Sequence, residues 1–122
     1  NPDPIRIGTD GCDFCKMTIS DPKFGGELIT LKGKIYKFDD LHCIRSFYKA
    51  GSLPASEINS IWFVDFANPG KLIPAKNSFL LKSDALRSPM GGNLAAFNSN
   101  ESLEEFKSQY PGETITWEQY NK

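Results

Sequence analysis

The order of the predicted secondary structure most constrains how this chain can fold. Residues 26–40, GELITLKGKIYKFDD, alternate in polarity on both sides of Gly33 and predict a β-hairpin. LHCIRSFYKAG at 41–51 places apolar residues on one face of a helix, and SIWFVDF at 60–66 predicts the next strand. The first half of the chain is therefore predicted to be strand, strand, helix and strand.

The same order recurs in the second half of the chain. SFLLKS at 78–83 and part of GGNLAAFNSN at 91–100 predict two strands. NESLEEFKSQY at 100–110 predicts a helix with Leu103, Phe106 and Tyr110 on one face, and a last strand begins in the PGETITWEQY that follows. Two units with the same element order are thus predicted.

An offset of 59 residues aligns the two halves. It places Phe38 over Phe97, and Phe47 over Phe106, at the strand end and in the helix core. The predicted fold is α+β, with two small β-β-α-β units packed as one body. The predicted division is an extended N-terminal segment, a first unit, a connector and a second unit, at 1–25, 26–67, 68–77 and 78–122.

The chain has three cysteines, an odd number that excludes a complete set of intrachain disulfides. The spacing of Cys12 and Cys15 suits chelation, a redox dithiol or one short disulfide. Zinc would need two more ligands, for which His42 and Cys43 remain, although neighbouring residues on a helix point in different directions. A redox dithiol belongs at a helix start, whereas KMTISDPKFGG at 16–26 is a poor helix former. Cys43 itself is expected to be a buried residue of the helix face.

The two methionines favour a softer metal than zinc. Met17 lies in a polar neighbourhood, on the same side of an extended segment as Cys15, and Met90 lies in the proline-glycine loop RSPMGGN at 87–93. Thioether sulfur suits Cu(I), and both loops lead into a predicted β-β-α-β unit. The residues therefore favour a Cu(I) site that contains Cys12, Cys15 and Met17, with His42 as a reserve ligand. The position of Met90 is what a site shared between the two units would need, although core packing is the alternative role of this methionine.

Charge and hydropathy exclude several other classes of function. The net charge of −1, with scattered lysines and arginines, provides no electrostatic footprint for nucleic acid or an anionic membrane. No stretch approaches the roughly 20 apolar residues of a spanning helix. The proline-containing start, NPDPIRIGTDG, is typical of an extended leader that remains after a targeting segment has been removed.

Three sequence blocks together resemble the NosL family, accessory proteins of nitrous-oxide reductase. These blocks are CDFCKM at 12–17, GKIYKFDDLHC at 33–43 and SPMGGNLAAF at 88–97, in the order found in that family. The resemblance implies the two-unit fold and a Cu(I)-binding protein of a bacterial periplasm, usually a lipoprotein. It also implies delivery of copper to an acceptor protein during assembly of the reductase's copper centre. Metal binding carries over, by motif match, to Cys12, Cys15, Met17 and Met90.

The sequence departs from the familiar NosL pattern at Asp13-Phe14, at Lys16 and in carrying Cys43. The family also resembles organomercurial lyases in architecture, which implies an alternative function. A thiol-dependent enzyme, either lyase-like or a dithiol oxidoreductase, would use the Cys12/Cys15 pair, with Cys43 as a further candidate. Its proton donor would come from Asp39 and Asp40, for which helix capping is the simpler role.

Overall fold

The computed structural model describes residues 5–51 and 53–120, which form two antiparallel sheets and three α-helices. The description does not include residues 1–4, 52, 121 and 122. The start of the predicted N-terminal segment and the end of the predicted second unit therefore lie outside it. The first half contains β1 Gly26–Thr30, β2 Ile35–Phe38, α1 Leu41–Ala50, β3 Ile58–Val64 and β4 Leu72–Pro74. The second half contains β5 Phe79–Lys82, β6 Leu94–Phe97, α2 Asn100–Lys107, β7 Glu113–Ile115 and α3 Trp117–Tyr120. The predicted α+β fold is confirmed.

The first sheet has the strand order β2-β1-β3-β4, with every neighbouring pair antiparallel. The predicted hairpin turns at Gly33, whose φ of +89° is a conformation that glycine adopts at little cost. All five residues of β1 are buried, and β2 and β3 flank this strand on both sides. Strand β4 comes from the predicted connector and pairs with β3, and the division of the chain into units remains a prediction.

The second sheet, with the order β6-β5-β7, is joined to the first by backbone contacts and a shared core. Asp65 forms an isolated parallel bridge with Ala96, and the Phe66 N–H donates to the Ala96 carbonyl at 2.8 Å. Leu80 and Leu94 of the second sheet belong to the same buried cluster as residues of the first. Because this apolar cluster draws on both sheets, the chain folds as one body.

Each longer helix begins at a side-chain cap. The Asp40 carboxylate accepts the His42 N–H at 2.9 Å before α1, and the Ser99 hydroxyl accepts the Ser102 N–H at 3.1 Å before α2. Gly51 ends α1 with a φ of +73°. Within the described residues, no helix has the length and apolar character required to cross a bilayer.

Helix α3 is a single turn that the sequence pattern did not indicate. The Thr116 hydroxyl accepts the Gln119 N–H at 3.1 Å, which starts the turn directly after β7. The Trp117 ring then packs edge-on against Phe63 of the first sheet, with 5.1 Å between ring centroids. This contact between distant parts of the chain explains why local periodicity did not predict α3.

Candidate metal centre

Three thiols and one carboxylate meet between the N-terminal segment and the start of α1. The Cys12, Cys15 and Cys43 Sγ atoms and an Asp39 carboxylate oxygen all lie within 4.8 Å of one another. We call these four residues the thiol cluster. Cys12, Cys43 and Asp39 are buried and Cys15 is half-buried, so only one side of the cluster reaches solvent.

A tight turn brings the first two cysteines together. In residues 12–17, the cysteine turn, the Lys16 N–H donates to the Cys12 carbonyl at 3.0 Å, and the Cys12 N–H donates to the Met17 carbonyl at 2.8 Å. The Cys15 N–H also points at the Cys12 Sγ, at 3.5 Å. Lys16 takes a φ of +67°, which is uncommon for a residue with a Cβ atom. The turn is therefore closed on itself, and the Cys12 sulfur accepts a hydrogen bond from within it.

Strand β2 holds the cysteine turn beside Asp39. The Asp13 N–H donates to the Lys37 carbonyl at 2.7 Å, and the Lys37 N–H donates to the Asp13 carboxylate at 2.8 Å. The Lys37 ammonium also forms an ion pair with Asp10 at 2.8 Å, which lowers the pKa of that carboxyl through the hydrogen bond. Because Asp39 lies two residues after Lys37, the pairing of Asp13 with Lys37 places the cysteine turn beside the Asp39 carboxylate.

Helix α1 supplies the other side of the thiol cluster. Cys43 lies on its buried face with Leu41 and Ile44, as the sequence predicts for a core residue. The Cys43 thiol donates to Asp39 Oδ1 at 3.4 Å, and the Cys15 thiol donates to the same oxygen at 3.5 Å. Asp39 thus connects the two cysteine-bearing segments, and it is Asp40 that caps the helix.

The three cysteines of the thiol cluster differ in pKa. Hydrogen bonding from the Cys43 thiol, aided by the backbone N–H groups of Cys15, Asp39 and Phe14, lowers the pKa of Cys12 from 9.0 to about 6 against the opposing effect of burial. Burial raises the pKa of Cys15 to about 11. The hydrogen bond to Cys12 and burial raise the pKa of Cys43 far above its usual range. Near neutral pH the cluster therefore holds one thiolate, on Cys12, and two thiols.

We expect the ultraviolet thiolate absorbance of the reduced, metal-free protein to titrate with a pKa of about 6, the pKa of Cys12. The absorbance should rise as pH increases through this value, and the step should be absent from a Cys12→Ser variant. Because the folded pKa lies below the ordinary 9.0, the associated stabilisation is complete above pH 9 and disappears as the pH falls to about 6. A single thiolate step near pH 9 would contradict this assignment.

The two predicted methionine ligands are both exposed. Met17 has 62% of its surface exposed and is the last residue of the cysteine turn. Met90 has 41% exposed, and its backbone N–H donates to the Asp40 carboxylate at 2.8 Å. The loop of residues 88–93, the methionine loop, is thereby tied to the residue next to Asp39. That Met17 and Met90 bind metal remains a prediction.

The structure thus brings Cys12 and Cys15 together, as predicted, and adds Asp39 and Cys43 to them. Sequence reasoning gave those two residues structural roles, in capping and in the core. Asp39 follows β2 directly, and Cys43 lies in the first turn of α1. This closeness in sequence was the available signal that the two residues could contribute to one site. His42 lies outside the cluster and lines an open polar pocket with Arg45 and Tyr120.

The fold and the thiol cluster define a small α+β protein with a candidate site for a thiophilic metal ion. The NosL family model matches residues 5–122. Among solved structures, the chain is similar to the crystal structure of the copper chaperone NosL from Shewanella denitrificans, with a TM-score of 0.82 and 20% sequence identity. The alignment covers 98% of this chain and 94% of that chain. A search of curated proteins finds no match. The chain belongs to the NosL family, which confirms the resemblance found in its sequence.

Proposed function

We propose that this protein is a Cu(I)-binding accessory protein that delivers copper for assembly of the nitrous-oxide reductase copper centre. Membership of the NosL family and a fold similar to that of a copper chaperone support this proposal. The observation that carries it is the meeting of the Cys12 and Cys15 sulfurs in one tight turn, within 4.8 Å of each other. The protein binds and releases an ion and does not act as an enzyme.

The chemistry of the site fits a monovalent soft ion that has to be handed on. Cu(I) is stabilised by thiolate and thioether sulfur, and a few such ligands are sufficient. Cys15 is half-buried and Met17 is exposed, so an acceptor's own sulfur or imidazole can approach the ion from that side. Cys12 is buried and therefore suited to be the last ligand to release the ion.

We propose Cys12, Cys15, Met17 and Met90 as the ligands of Cu(I). The Cys43 thiol donates to Asp39, and loss of its proton would place a thiolate against a buried carboxylate. One positive charge does not offset three thiolates and a carboxylate in a buried site. Cys43 therefore retains its proton in the Cu(I) complex, and neutral thioethers complete the coordination.

Met90→Leu is expected to weaken Cu(I) binding and to leave the fold nearly unchanged. Leucine conserves volume and hydrophobicity, so the free energy of unfolding should change by less than about 1.5 kcal/mol. The loss of the thioether should lower Cu(I) affinity well beyond that effect. The measurement is competition against a Cu(I) chelator with the reduced protein under anaerobic conditions, where one ion should bind per chain.

Cys43→Ala is the control for this experiment, and it should leave Cu(I) affinity largely intact. The opposite pair of results, with Met90→Leu silent and Cys43→Ala abolishing binding, would replace the proposed ligands with a three-cysteine site. Absence of Cu(I) binding by the wild-type protein would refute the proposed function itself.

The alternative of a thiol-dependent enzyme makes a separate prediction. The contacts of Asp39 Oδ1 with Cys15 and Cys43 provide a carboxylate beside two thiols, which acid-assisted cleavage would require. The NosL assignment favours a carrier over this alternative. Turnover of an organomercurial compound, or reduction of insulin disulfides by the protein, would support the enzyme instead.

The copper acceptor in this proposal is nitrous-oxide reductase or its assembly machinery. The protein works in the bacterial periplasm, where a lipid anchor preceding the described residues would hold it at a membrane. The resemblance to NosL proteins supports both assignments. Copper-dependent complex formation between this protein and the reductase would test the identity of the acceptor.

A further inference from the structure

We propose that Cys12 and Cys43 form a reversible disulfide, and that Cys15 is the thiol through which an external disulfide compound oxidises this pair. The cross-link removes the Cys12 sulfur from the proposed Cu(I) ligands, so copper is loaded only after a dithiol has reduced the protein. This consequence rests on the proposed function, whereas the formation of the disulfide does not.

The Cys12 and Cys43 sulfurs are neighbours in the reduced protein. All three cysteines are free thiols, and the Cys43 thiol shares a hydrogen bond with the Cys12 sulfur. The two Sγ atoms lie within 4.8 Å of each other, and a disulfide bond is about 2.05 Å long. The sulfurs therefore have to approach by at most about 2.8 Å, a movement that the two side chains can share by rotation about their Cα–Cβ bonds.

Exposure to solvent determines where an external disulfide reacts first. Cys15 is half-buried, whereas Cys12 is 2% exposed and Cys43 is 0% exposed. Thiol–disulfide exchange requires contact between the attacking sulfur and a disulfide sulfur, so a disulfide in solvent reacts first at Cys15. The same difference protects the product, because an external thiol reaches neither sulfur of a Cys12–Cys43 bond directly. This bond is therefore expected to be the long-lived one, and a bond that includes Cys15 is reopened more readily.

Two exchanges with the external disulfide, written RSSR, introduce the oxidation. The Cys15 sulfur attacks RSSR and forms a Cys15–SR bond, while the first RS⁻ leaves and takes the proton that Cys15 loses. The Cys12 thiolate then attacks the Cys15 sulfur, a Cys12–Cys15 bond forms, and the second RS⁻ leaves and takes a proton from solvent. RSSR is thereby reduced by two electrons to two RSH, and the two cysteine sulfurs are oxidised.

One internal exchange then moves the disulfide into the core. The Cys43 sulfur attacks the Cys12 sulfur, the Cys12–Cys43 bond forms, and the Cys15 sulfur leaves as a thiolate. The Cys43 and Cys15 thiols both donate to Asp39 Oδ1, at 3.4 Å and 3.5 Å, so this oxygen can carry the Cys43 proton to Cys15. The step consumes no further oxidant. Reduction by a dithiol follows the same path in reverse and again enters at Cys15.

The test is to oxidise the reduced, metal-free full-length chain with glutathione disulfide and to map its cysteines by mass spectrometry. After free thiols have been alkylated, a protease that cleaves before aspartate separates Cys12 from Cys15 at Asp13. The expected product links the peptide that contains Cys12 to the peptide that contains Cys43, with Cys15 alkylated. A final Cys12–Cys15 or Cys15–Cys43 bond, glutathione retained on Cys15, or three alkylated cysteines would overturn the inference.

Two cysteine variants assign the separate roles in this reaction. Cys15→Ser should slow formation of the cross-link without changing its position, and oxidation of this variant at the wild-type rate would refute entry at Cys15. Cys43→Ser should lose the cross-link, and its Cys12–Cys15 bond should be reopened by a dithiol faster than the wild-type disulfide. Unfolding curves show whether each reduced variant folds, and the map of the wild-type protein needs no variant.

Asp39→Asn isolates the internal exchange, and Asp65→Asn is the matched control for replacing a buried aspartate. Without the Asp39 carboxylate, the Cys12–Cys15 intermediate should accumulate. Asp65 is 1% exposed and accepts the Ala67 N–H at 3.1 Å and the Asn68 amide at 3.2 Å, in a turn outside the thiol cluster. Its replacement should leave the order and rate of bond formation unchanged. The same time course for Asp39→Asn and the wild type would exclude Asp39 from the proton transfer.

Cu(I) binding before and after oxidation separates this inference from the proposed function. The cross-linked protein should lose its Cu(I) binding and recover it after reduction and removal of the reductant. Unchanged Cu(I) affinity of the cross-linked protein would refute the control of copper loading by the disulfide. Absence of Cu(I) binding by the reduced protein would refute the proposed function, while the peptide map would still decide whether the Cys12–Cys43 disulfide forms.

Discussion

Replacement of Cys12 by serine is expected to lower Cu(I) affinity by more than about 100-fold, the upper end of the cost of losing an outer-shell partner. Cys12 is the cluster's thiolate near neutral pH, because hydrogen bonds from its surroundings lower its pKa to about 6. A serine hydroxyl remains protonated and presents a hard oxygen, which Cu(I) binds poorly. The loss should therefore exceed that for Met90→Leu, which removes a neutral proposed ligand.

Anaerobic competition against a Cu(I) chelator measures this loss. Cys43→Ala is the matched control, because it also removes a buried thiol and should retain most of the Cu(I) affinity. The unfolding free energy of both variants has to be measured without metal, since Cys12 and Cys43 are both in the core. An affinity of Cys12→Ser within about tenfold of the wild type would contradict a ligand role for this sulfur, because loss of an outer-shell partner alone costs that much.

The parts of the fold that the sequence predicted are those that local patterns determine. The hairpin follows from alternation around Gly33, and α1 follows from its apolar face between Asp40 and Gly51. Strand β4, with three residues, and the single turn of α3 have too few residues to show a period. They form because distant parts of the chain provide a partner: β3 for β4, and Phe63 for Trp117.

The candidate site was predictable only in part, for the same reason. The Cys-x-x-Cys spacing is local, so the meeting of Cys12 and Cys15 in one turn could be predicted. The approach of that turn to Asp39 depends on the pairing between Asp13 and Lys37, 24 residues apart. Nothing in the sequence near Asp39 indicates this pairing. Burial of Cys43 was expected, but burial alone does not distinguish a core cysteine from a ligand.

Asp40 both caps α1 and accepts hydrogen bonds from the methionine loop, which gives the second large expected effect. Asp40→Ala should lower the free energy of unfolding by about 2–4 kcal/mol. Asp40 is fully buried, and its carboxylate accepts the His42 N–H at 2.9 Å, the Met90 N–H at 2.8 Å and the Gly92 N–H at 3.4 Å. Loss of a helix cap costs about 0.5–2 kcal/mol, and a buried donor without an acceptor costs about 1–3 kcal/mol. Urea unfolding of the reduced, metal-free protein measures the sum.

Two further variants distinguish the contribution of Asp40 as the cap of α1 from its contribution in holding the methionine loop. Ser99→Ala removes the cap of α2, which has a single described acceptor contact with Ser102, and should cost only about 1 kcal/mol. Asp40→Ser retains a good cap residue for α1, but its shorter side chain cannot also reach Met90. Equal losses for Asp40→Ala and Ser99→Ala would show that Asp40 acts as a cap alone.

Asp40→Ser also links this contact to copper. If Asp40 holds the methionine loop so that the Met90 thioether can reach the ion, Asp40→Ser should weaken Cu(I) binding in the same direction as Met90→Leu. The two changes should then be less than additive when combined, because the second removes an interaction that the first has already impaired. Full additivity would mean that Asp40 stabilises the fold without positioning Met90. In that case the methionine loop would reach the ion, if at all, by contacts other than this carboxylate.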